Sequence, residues 1–427
     1  MKSKKIVFFG LFGQQNWGNE CTLQAIIYSV RKYVPDVELS CICTDPSDTS
    51  ARHNISAFPI RGTRGKVQPP QNNPVRKLFR RVFVKVPMEL LHWVEAFKTL
   101  RGAKLLVAPG TGMLADYATS PFGWPYDMFK WTIVAKLRRC KILFVSVGAG
   151  PISHPLSKWF IKAALSLASY RSYRDVYSKE YLKAVGFDTE RDRVYPDLAF
   201  SLPRHVIPEC GDFSRQRPVI GVGLKDYYGE HGLRQRGEDD YCKYLEKTAD
   251  FVTWLLANDH SVRVLMGDAV YDGRVKEDLI ELLEKRGVNC NDGRVLDEPV
   301  SSVEQLLAQL ASTDVVVSPR FHNIILALML NKPVISLSYH EKFSSLMADM
   351  GLPEYCQHLD HLDIGKLSEQ LKRLESNTTS LASYVKRRTE EHRGALDEQY
   401  SLILNDICDR PPRRGIRLVP RPSGTIG

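Results

Sequence analysis

The chain has 427 residues, 43% of them hydrophobic and 25% charged. It is too long for one small domain, because single cores stop growing at roughly 250–300 residues, and too apolar for a disordered chain. Its formal charge of +10 is local: Arg61 to Lys85 carries eight Lys or Arg and no acid, Arg410 to Gly427 five Arg and no acid, and without them the chain stands at −3. A nucleic-acid-binding fold spreads its charge over a binding face, so two separate basic segments argue against that class and fit a polyanion or an anionic membrane surface.

No run approaches the ~20 consecutive apolar residues of a transmembrane helix, and Met1 to Gly10 has no secretory core or cleavage site. The nine cysteines are scattered. Cys41 and Cys43 form C-x-C with no second pair or histidine cluster to complete a zinc pattern, so no metal is expected. The odd count suits reduced thiols in a cytoplasm.

In chain order, Ile6-Val7-Phe8-Phe9 is a short continuous apolar run, the pattern of a strand buried on both faces. A helix follows near Glu20, with Leu23, Ile26, Ile27 and Val30 as its apolar stripe. Val37 to Cys43 reads as the next strand, completing a βαβ unit. Residues 51–75 read as loop, and Val75 to Leu100 as a basic, aromatic helical stretch. Strands then recur at Lys104 to Ala108, Lys141 to Val147 and Tyr170 to Tyr173, with helices at Met128 to Leu137, Ser157 to Ser169 and Ser178 to Val185. The polar, proline-containing stretch 203–218 marks a boundary. Alternation restarts with strands at Val219 to Leu224, Val262 to Met266, Val315 to Ser318 and Val334 to Ser338, and helices between them. Leu367 to Leu374 and Leu381 to Asp406 read as closing helices. The fold class is α/β: two Rossmann-like doubly wound domains, 1–205 and 216–408, facing a cleft, with a basic segment at 61–101 and a loose basic tail at 409–427.

Ligands in such sheets bind at the carboxyl ends of strands, so the loops there carry the chemistry. Gly10 to Glu20 leads into a helix start, where free N–H groups favour anions or sugar hydroxyls; Asn16 or Asn19 caps it. The loop is neither a Walker A nor a G-x-G-x-x-G segment, although Asp45 sits near where a ribose-binding acid falls. Gly110-Thr111-Gly112 with Asp116, and Gly148-Ala149-Gly150-Pro151, follow two further strands. Arg171-Ser172-Tyr173-Arg174-Asp175 places two arginines beside a helix start, a combination suited to a carboxylate or phosphate, and Asp197 could orient one of them. Ser318-Pro319-Arg320-Phe321-His322 adds an anion-binding arginine to a histidine able to exchange a proton near neutral pH. Lys342 ends the next strand segment and could face the same cleft.

Together and in this order the loops resemble the polysaccharide pyruvyl transferase family, over residues 6 to about 352. Gly10 to Glu20 matches its G-x-x-G-x-x-N-x-G-D-E-type opening, with Asn19 for Asp. Gly110 to Asp116 matches a G-G-G-x-x-x-D-type segment with Thr111 for the second Gly, and Ser146 to Pro151 a G-x-G-x-G-P-like one with Ser146 for the first Gly. Arg171 to Ser178, Asp197 to Phe200 and Arg320 to Lys342 match the family's R-S-x-R-D-x-x-S, D-x-A-F and R-x-H plus Y-x-x-K segments, with Phe321 where Leu is common.

The resemblance implies a fold like that of GT-B glycosyltransferases and phosphoenolpyruvate as donor substrate, with no other cofactor. The product would be a pyruvate ketal on a polysaccharide or lipid-linked glycan, with phosphate released. It implies donor binding by Arg174, Arg320, Arg171 and Lys342, and acid or base work by His322. It also implies an acceptor side at Asn16, Glu20, Gly110 and Asp116. The basic, apolar Arg76 to Lys85 would then touch the inner face of an anionic membrane, making a cytoplasmic protein peripheral. The alternatives are a nucleotide-sugar glycosyltransferase of the same fold and a non-catalytic glycan-binding scaffold.

Overall fold

The computed structural model describes residues 4–61, 86–117, 119–209, 217–228 and 237–409. The first sheet region runs β1 (Lys4–Phe9), α1 (Trp17–Tyr33), β2 (Val37–Cys43), α2 (Pro46–His53), β3 (Ser56–Pro59), α3 (Val86–Thr99) and β4 (Ala103–Pro109). It continues through α4 (Trp124–Leu137), β5 (Lys141–Val147), α5 (Pro155–Ser166), β6 (Tyr170–Tyr173), α6 (Val176–Ala184) and β7 (Arg193–Val194). Its strand order is β3-β2-β1-β4-β5-β6-β7, with every pairing parallel.

The second region runs β8 (Val219–Gly223), α7 (Glu238–Ala257), β9 (Ser261–Leu265), α8 (Asp272–Lys285), β10 (Val295–Leu296), α9 (Val303–Ala311) and β11 (Val315–Ser318). Then come α10 (Phe321–Met329), β12 (Val334–Ser338), α11 (Glu341–Asp349) and β13 (Cys356–His358), in a parallel sheet ordered β10-β9-β8-β11-β12-β13. Helices α12 (Ile364–Ser376) and α13 (Thr378–Asp409) follow.

The central strands are uninterrupted apolar runs because helices cover both faces of each sheet. Val7, Phe8, Val316 and Val317 are fully buried. Helix α10 is apolar nearly all round, and Ile324 to Leu328 are sealed in the core.

Three differences from the sequence reading have local causes. Residues 51–75 read as loop, yet α2 and β3 reach Pro59. Asp45 caps α2 by accepting from Ser47 N (2.9 Å) and Asp48 N (3.1 Å), and Pro46 sits at the first helical position. Asp45 is therefore a helix cap rather than a ribose ligand. The helical reading of Val75 to Leu100 holds for α3; residues 75–85, like the tail from 410, lie outside the described residues.

The third difference is where the chain ends. Helix α13, which reads from sequence as part of the second domain, packs on both: Thr389 Oγ1 donates to Leu328 O (3.3 Å) and His392 Nε2 lies 2.9 Å from Asp349, while its later turns reach the first domain. Gln399 Nε2 donates to Ser172 Oγ (2.7 Å) and Tyr170 Oη (3.2 Å), while Ser146 Oγ donates to Gln399 Oε1 (3.1 Å). Tyr400 and Ser201 share a 2.9 Å hydrogen bond. Among the described residues no helix is long and apolar enough to cross a membrane.

Strand order reverses between β1 and β4 in one sheet and between β8 and β11 in the other. Loops leaving such a pair diverge and open a crevice. The two crevices face each other across the interdomain cleft.

Candidate active site in the interdomain cleft

The loop after β1 forms the seam between the domains. Asn16 caps α1, accepting from Asn19 N at 3.3 Å, and its Nδ2 donates to Asp268 of the second domain at 3.0 Å. Backbone bonds lock the contact: Trp17 N donates to Gly267 O and Ala269 N to Gln15 O, both at 3.1 Å. The start of α1 is thereby brought against the start of α10, so closely that Gly18 lies against the His322 ring.

Between these helix starts is a cavity of about 140 Å³, lined by Asn16, Asn19, Arg174, Arg320, His322 and Lys342 among others. Arg174 follows β6. Its Nε donates to Asp175 Oδ2 at 3.3 Å, one terminal nitrogen lies 3.5 Å from Asp197 Oδ2, and its guanidinium stacks 4.9 Å from the Phe321 ring centre. Asp175 also caps α6, accepting from Ser178 N at 2.6 Å, which fixes the turn that presents Arg174. Gly148 is needed beside it, because a Cβ there would fall 2.5 Å from Arg174 Nε.

Arg320 is held from below by an ion pair with Asp272, a side chain with no exposure, and its Nε donates to Leu224 O at 3.4 Å. Asp272 Oδ2 also accepts from Gly267 N (3.0 Å) and Asp268 N (2.9 Å), so one carboxylate fixes the arginine and the seam loop together. Lys342, on the first turn of α11, rests over Phe321, Tyr339 and Phe343 at 5.4–5.5 Å. Burial pushes its ammonium below the usual lysine range, and Arg174 and Lys225 add to the push.

His322 sits among these cations. Burial first of all drives its pKa down to about 4; Arg174, Lys342 and Arg320 push the same way, and Asp197 offsets only part. The imidazole is therefore neutral at pH 7. Its Nε2 lies 3.8 Å from Asp197 Oδ2, and neither atom makes a hydrogen bond within the protein. An uncharged histidine beside a carboxylate, within a ring of cations, can take a proton from a ligand while the cations hold an anion.

The remaining sequence-assigned residues lie elsewhere. Arg171, early on β6 rather than beyond its end, is tied to Asp192 (3.0 Å) and to Asp188 O (3.0 Å), away from the cavity. Of the four acceptor-side residues, Asn16 alone lines the cavity. Glu20 turns inward, accepting from Gly13 N (2.8 Å) and meeting His53 Nε2 (3.0 Å), so it braces the loop. Asp116 accepts from Ser153 N and His154 N at 2.9 Å each, clasping the loop after β5. Gly110, at φ +48°, packs on Thr22. Asp272 escaped the sequence reading: an acid in the first turn of a helix looks like ordinary dipole compensation.

Two facing doubly wound domains with a cation-lined cleft define the class: an α/β protein of GT-B-like architecture. Solved structures agree on the fold. The Staphylococcus aureus MnaA–UDP co-structure superposes with TM-score 0.59 at 12% identity, covering 96% of this chain and 100% of that one. A glycosyltransferase from Rickettsia africae gives 0.59 at 10% identity, over 96% and 100%. The UDP-GlcNAc 2-epimerase from Neisseria meningitidis bound to UDP-GlcNAc gives 0.55 at 11% identity, over 94% and 99%. Residues 16–341 match the polysaccharide pyruvyl transferase family, and the chain belongs to it. Among characterised proteins it is similar to the amylovoran biosynthesis protein AmsJ of Erwinia amylovora, 20% identical over 425 residues, covering 91% of this chain and 96% of that one.

Proposed function

We propose that the protein transfers pyruvate from phosphoenolpyruvate to two hydroxyls of one sugar in a polysaccharide or lipid-linked precursor, forming a ketal and releasing phosphate. The observation that carries the reading is the neutral His322 enclosed by Arg174, Arg320 and Lys342 in a small cavity between the domains. Two arginines and a lysine suit a donor that bears a phosphate and a carboxylate. The paired Arg174 and Arg320 suit a small dianion more than a nucleotide, and that is the reason to prefer this donor to the nucleotide-sugar alternative.

The chemistry balances with one proton shuttle. His322 takes the proton of the first sugar hydroxyl as its oxygen bonds to C2, and passes that proton to the methylene carbon, which becomes a methyl group as the C=C electron pair forms the new C–H bond. Phosphate then leaves C2, the second hydroxyl oxygen bonds there, and its proton departs with the phosphate or through His322. Arg174 and Arg320 stabilise charge at the carboxylate and the leaving group. Asp197, near His322 Nε2, stabilises the imidazolium formed in passing.

A lipid-linked acceptor would lie at a membrane surface. Helix α3 exposes Val86, Leu90, Leu91 and Val94 directly after the basic stretch ending at Lys85, and this pairing supports contact with an anionic bilayer.

The test is phosphate release from phosphoenolpyruvate with a pool of pyruvylation-competent glycans, for wild type and His322→Ala. Release that needs both acceptor and His322 is expected. Release that survives His322→Ala removes the histidine's role. Hydrolysis of a UDP-sugar in place of phosphoenolpyruvate turnover would establish the other reading.

A further inference from the structure

One cation beside the cleft has no part in the scheme so far. Lys225 is the second residue after β8, and Arg320 is the second after β11. These strands are neighbours, and the strand order reverses between them. Lys225 and Arg320 thus occupy corresponding places on the two lips of the second domain's crevice. They are close, because the Arg320 side chain crosses to β8 to reach Leu224 O.

The Lys225 ammonium lies 4.6 Å from the centre of the Tyr339 ring, and the Lys342 ammonium lies 5.5 Å from the same ring. Tyr339 lines the cavity. Arg320 has Asp272 as its counter-ion. Among the described residues neither lysine forms an ion pair with a carboxylate. Burial first, then Arg320, pulls Lys225 down to about 8, and Asp272, Asp226 and Asp268 counter this only in part. The start of α10 beside Arg320 has no side-chain cap, and its first-turn residues Phe321, His322 and Asn323 line the cavity.

We propose that Lys225 is a ligand of the donor's phosphoryl group, closing with Arg320 and the first turn of α10 a phosphate site at the β8/β11 crevice. Arg174 and Lys342, which flank Phe321, then take the carboxylate. The ammonium leaves the face of Tyr339 for a phosphoryl oxygen by rotating its terminal side-chain bonds. The assignment rests on phosphoenolpyruvate as donor, and its test separates the two ideas.

Inorganic phosphate, pyruvate and phosphoenolpyruvate are titrated by calorimetry into wild type, Lys225→Met and Lys225→Arg, each first checked for an unchanged melting profile. Loss of one charge-assisted hydrogen bond predicts phosphate binding about 10- to 100-fold weaker in Lys225→Met. Pyruvate binding is unchanged, and Lys225→Arg restores most of the phosphate affinity. Phosphate bound equally well by Lys225→Met, or phosphate and pyruvate weakened alike, overturns the assignment. A wild type that binds none of the three probes overturns the donor reading itself, and this assignment with it.

Discussion

Replacing Gly18 by alanine tests the closed cleft directly. Gly18 is in the first turn of α1, in the first domain, and His322 is in the first turn of α10, in the second. A Cβ at position 18 would stand 1.9 Å from His322 Nδ1 and 2.4 Å from Cγ, where ordinary contact begins near 3.4 Å. Ring or domain must therefore retreat by about 1.5 Å, the difference between 3.4 and 1.9 Å. A misplacement of about 1 Å costs on the order of 100-fold in rate. Alanine in a helix is about 0.5–1 kcal/mol better than glycine, which offsets part of the roughly 1–3 kcal/mol that an overpacked contact costs. Steady-state phosphate release and a thermal melt should part company: kcat/KM at least about 100-fold lower, the melting midpoint within a few degrees. A Gly18→Ala protein with wild-type kcat/KM would refute the reasoning, because His322 would then act from some other position or with the cleft open.

The remaining predictions draw on other parts of the molecule. Thr111 is a β-branched residue at φ +55°, a conformation costing about 1–2 kcal/mol outside glycine. After the added chain entropy of glycine, Thr111→Gly should stabilise by about 0.5–1 kcal/mol, read as a higher urea midpoint; a lower midpoint would contradict it. His322 ionises near 6.5 when unfolded but near 4 in the fold, so the unfolded chain binds more protons between those values. Its contribution is complete above pH 6.5 and declines as the pH falls toward 4, by up to about 2 kcal/mol at pH 5. Acid melting curves of His322→Gln should fall less steeply than wild type, and parallel curves would count against the neutral imidazole. Leu90→Glu with Leu91→Glu, both exposed on α3, should abolish flotation with anionic vesicles without loss of fold. Wild type that fails to float would remove the membrane contact.

Much of this was legible in the sequence because parallel strands buried on both faces announce themselves as apolar runs, and the residues next after such a run land at a strand's carboxyl end. Arg174, Arg320 and His322 were found by that logic, and the structure brings them to one cavity. Arg171 reads with Arg174 as a pair beside a helix start, but three residues earlier it lies inside the strand, tied to Asp192 and Asp188 O. Glu20 and Asp116 are ligand candidates through the resemblance alone; in the fold Glu20 is taken up by Gly13 N and the His53 ring, and Asp116 by Ser153 N and His154 N. Asp272 carried no mark at all. Its role exists only through the distance between α8 and the end of β11, which no local pattern encodes.

The two glycines missing from the family's pattern show what sequence alone cannot decide. Thr111 and Ser146 could equally have meant a decayed site or a tolerated change. The backbone shows why glycine is usual at both: φ is +55° at one and +50° at the other. At Ser146 one side-chain hydrogen bond that glycine could not make accompanies the strained conformation. Its N–H donates to Ser172 Oγ at 2.8 Å, and its hydroxyl, which glycine lacks, reaches Gln399 on the returning helix α13. Gln399 in turn donates to Ser172, so strand ends β5 and β6 and the last helix are tied in one buried network. That network sits two residues before Gly148, against which Arg174 lies. The departure therefore keeps the arginine's bed in place. It also makes Ser146 and Gln399 a coupled pair, in which removing either side chain leaves the other's polar group buried without its partner.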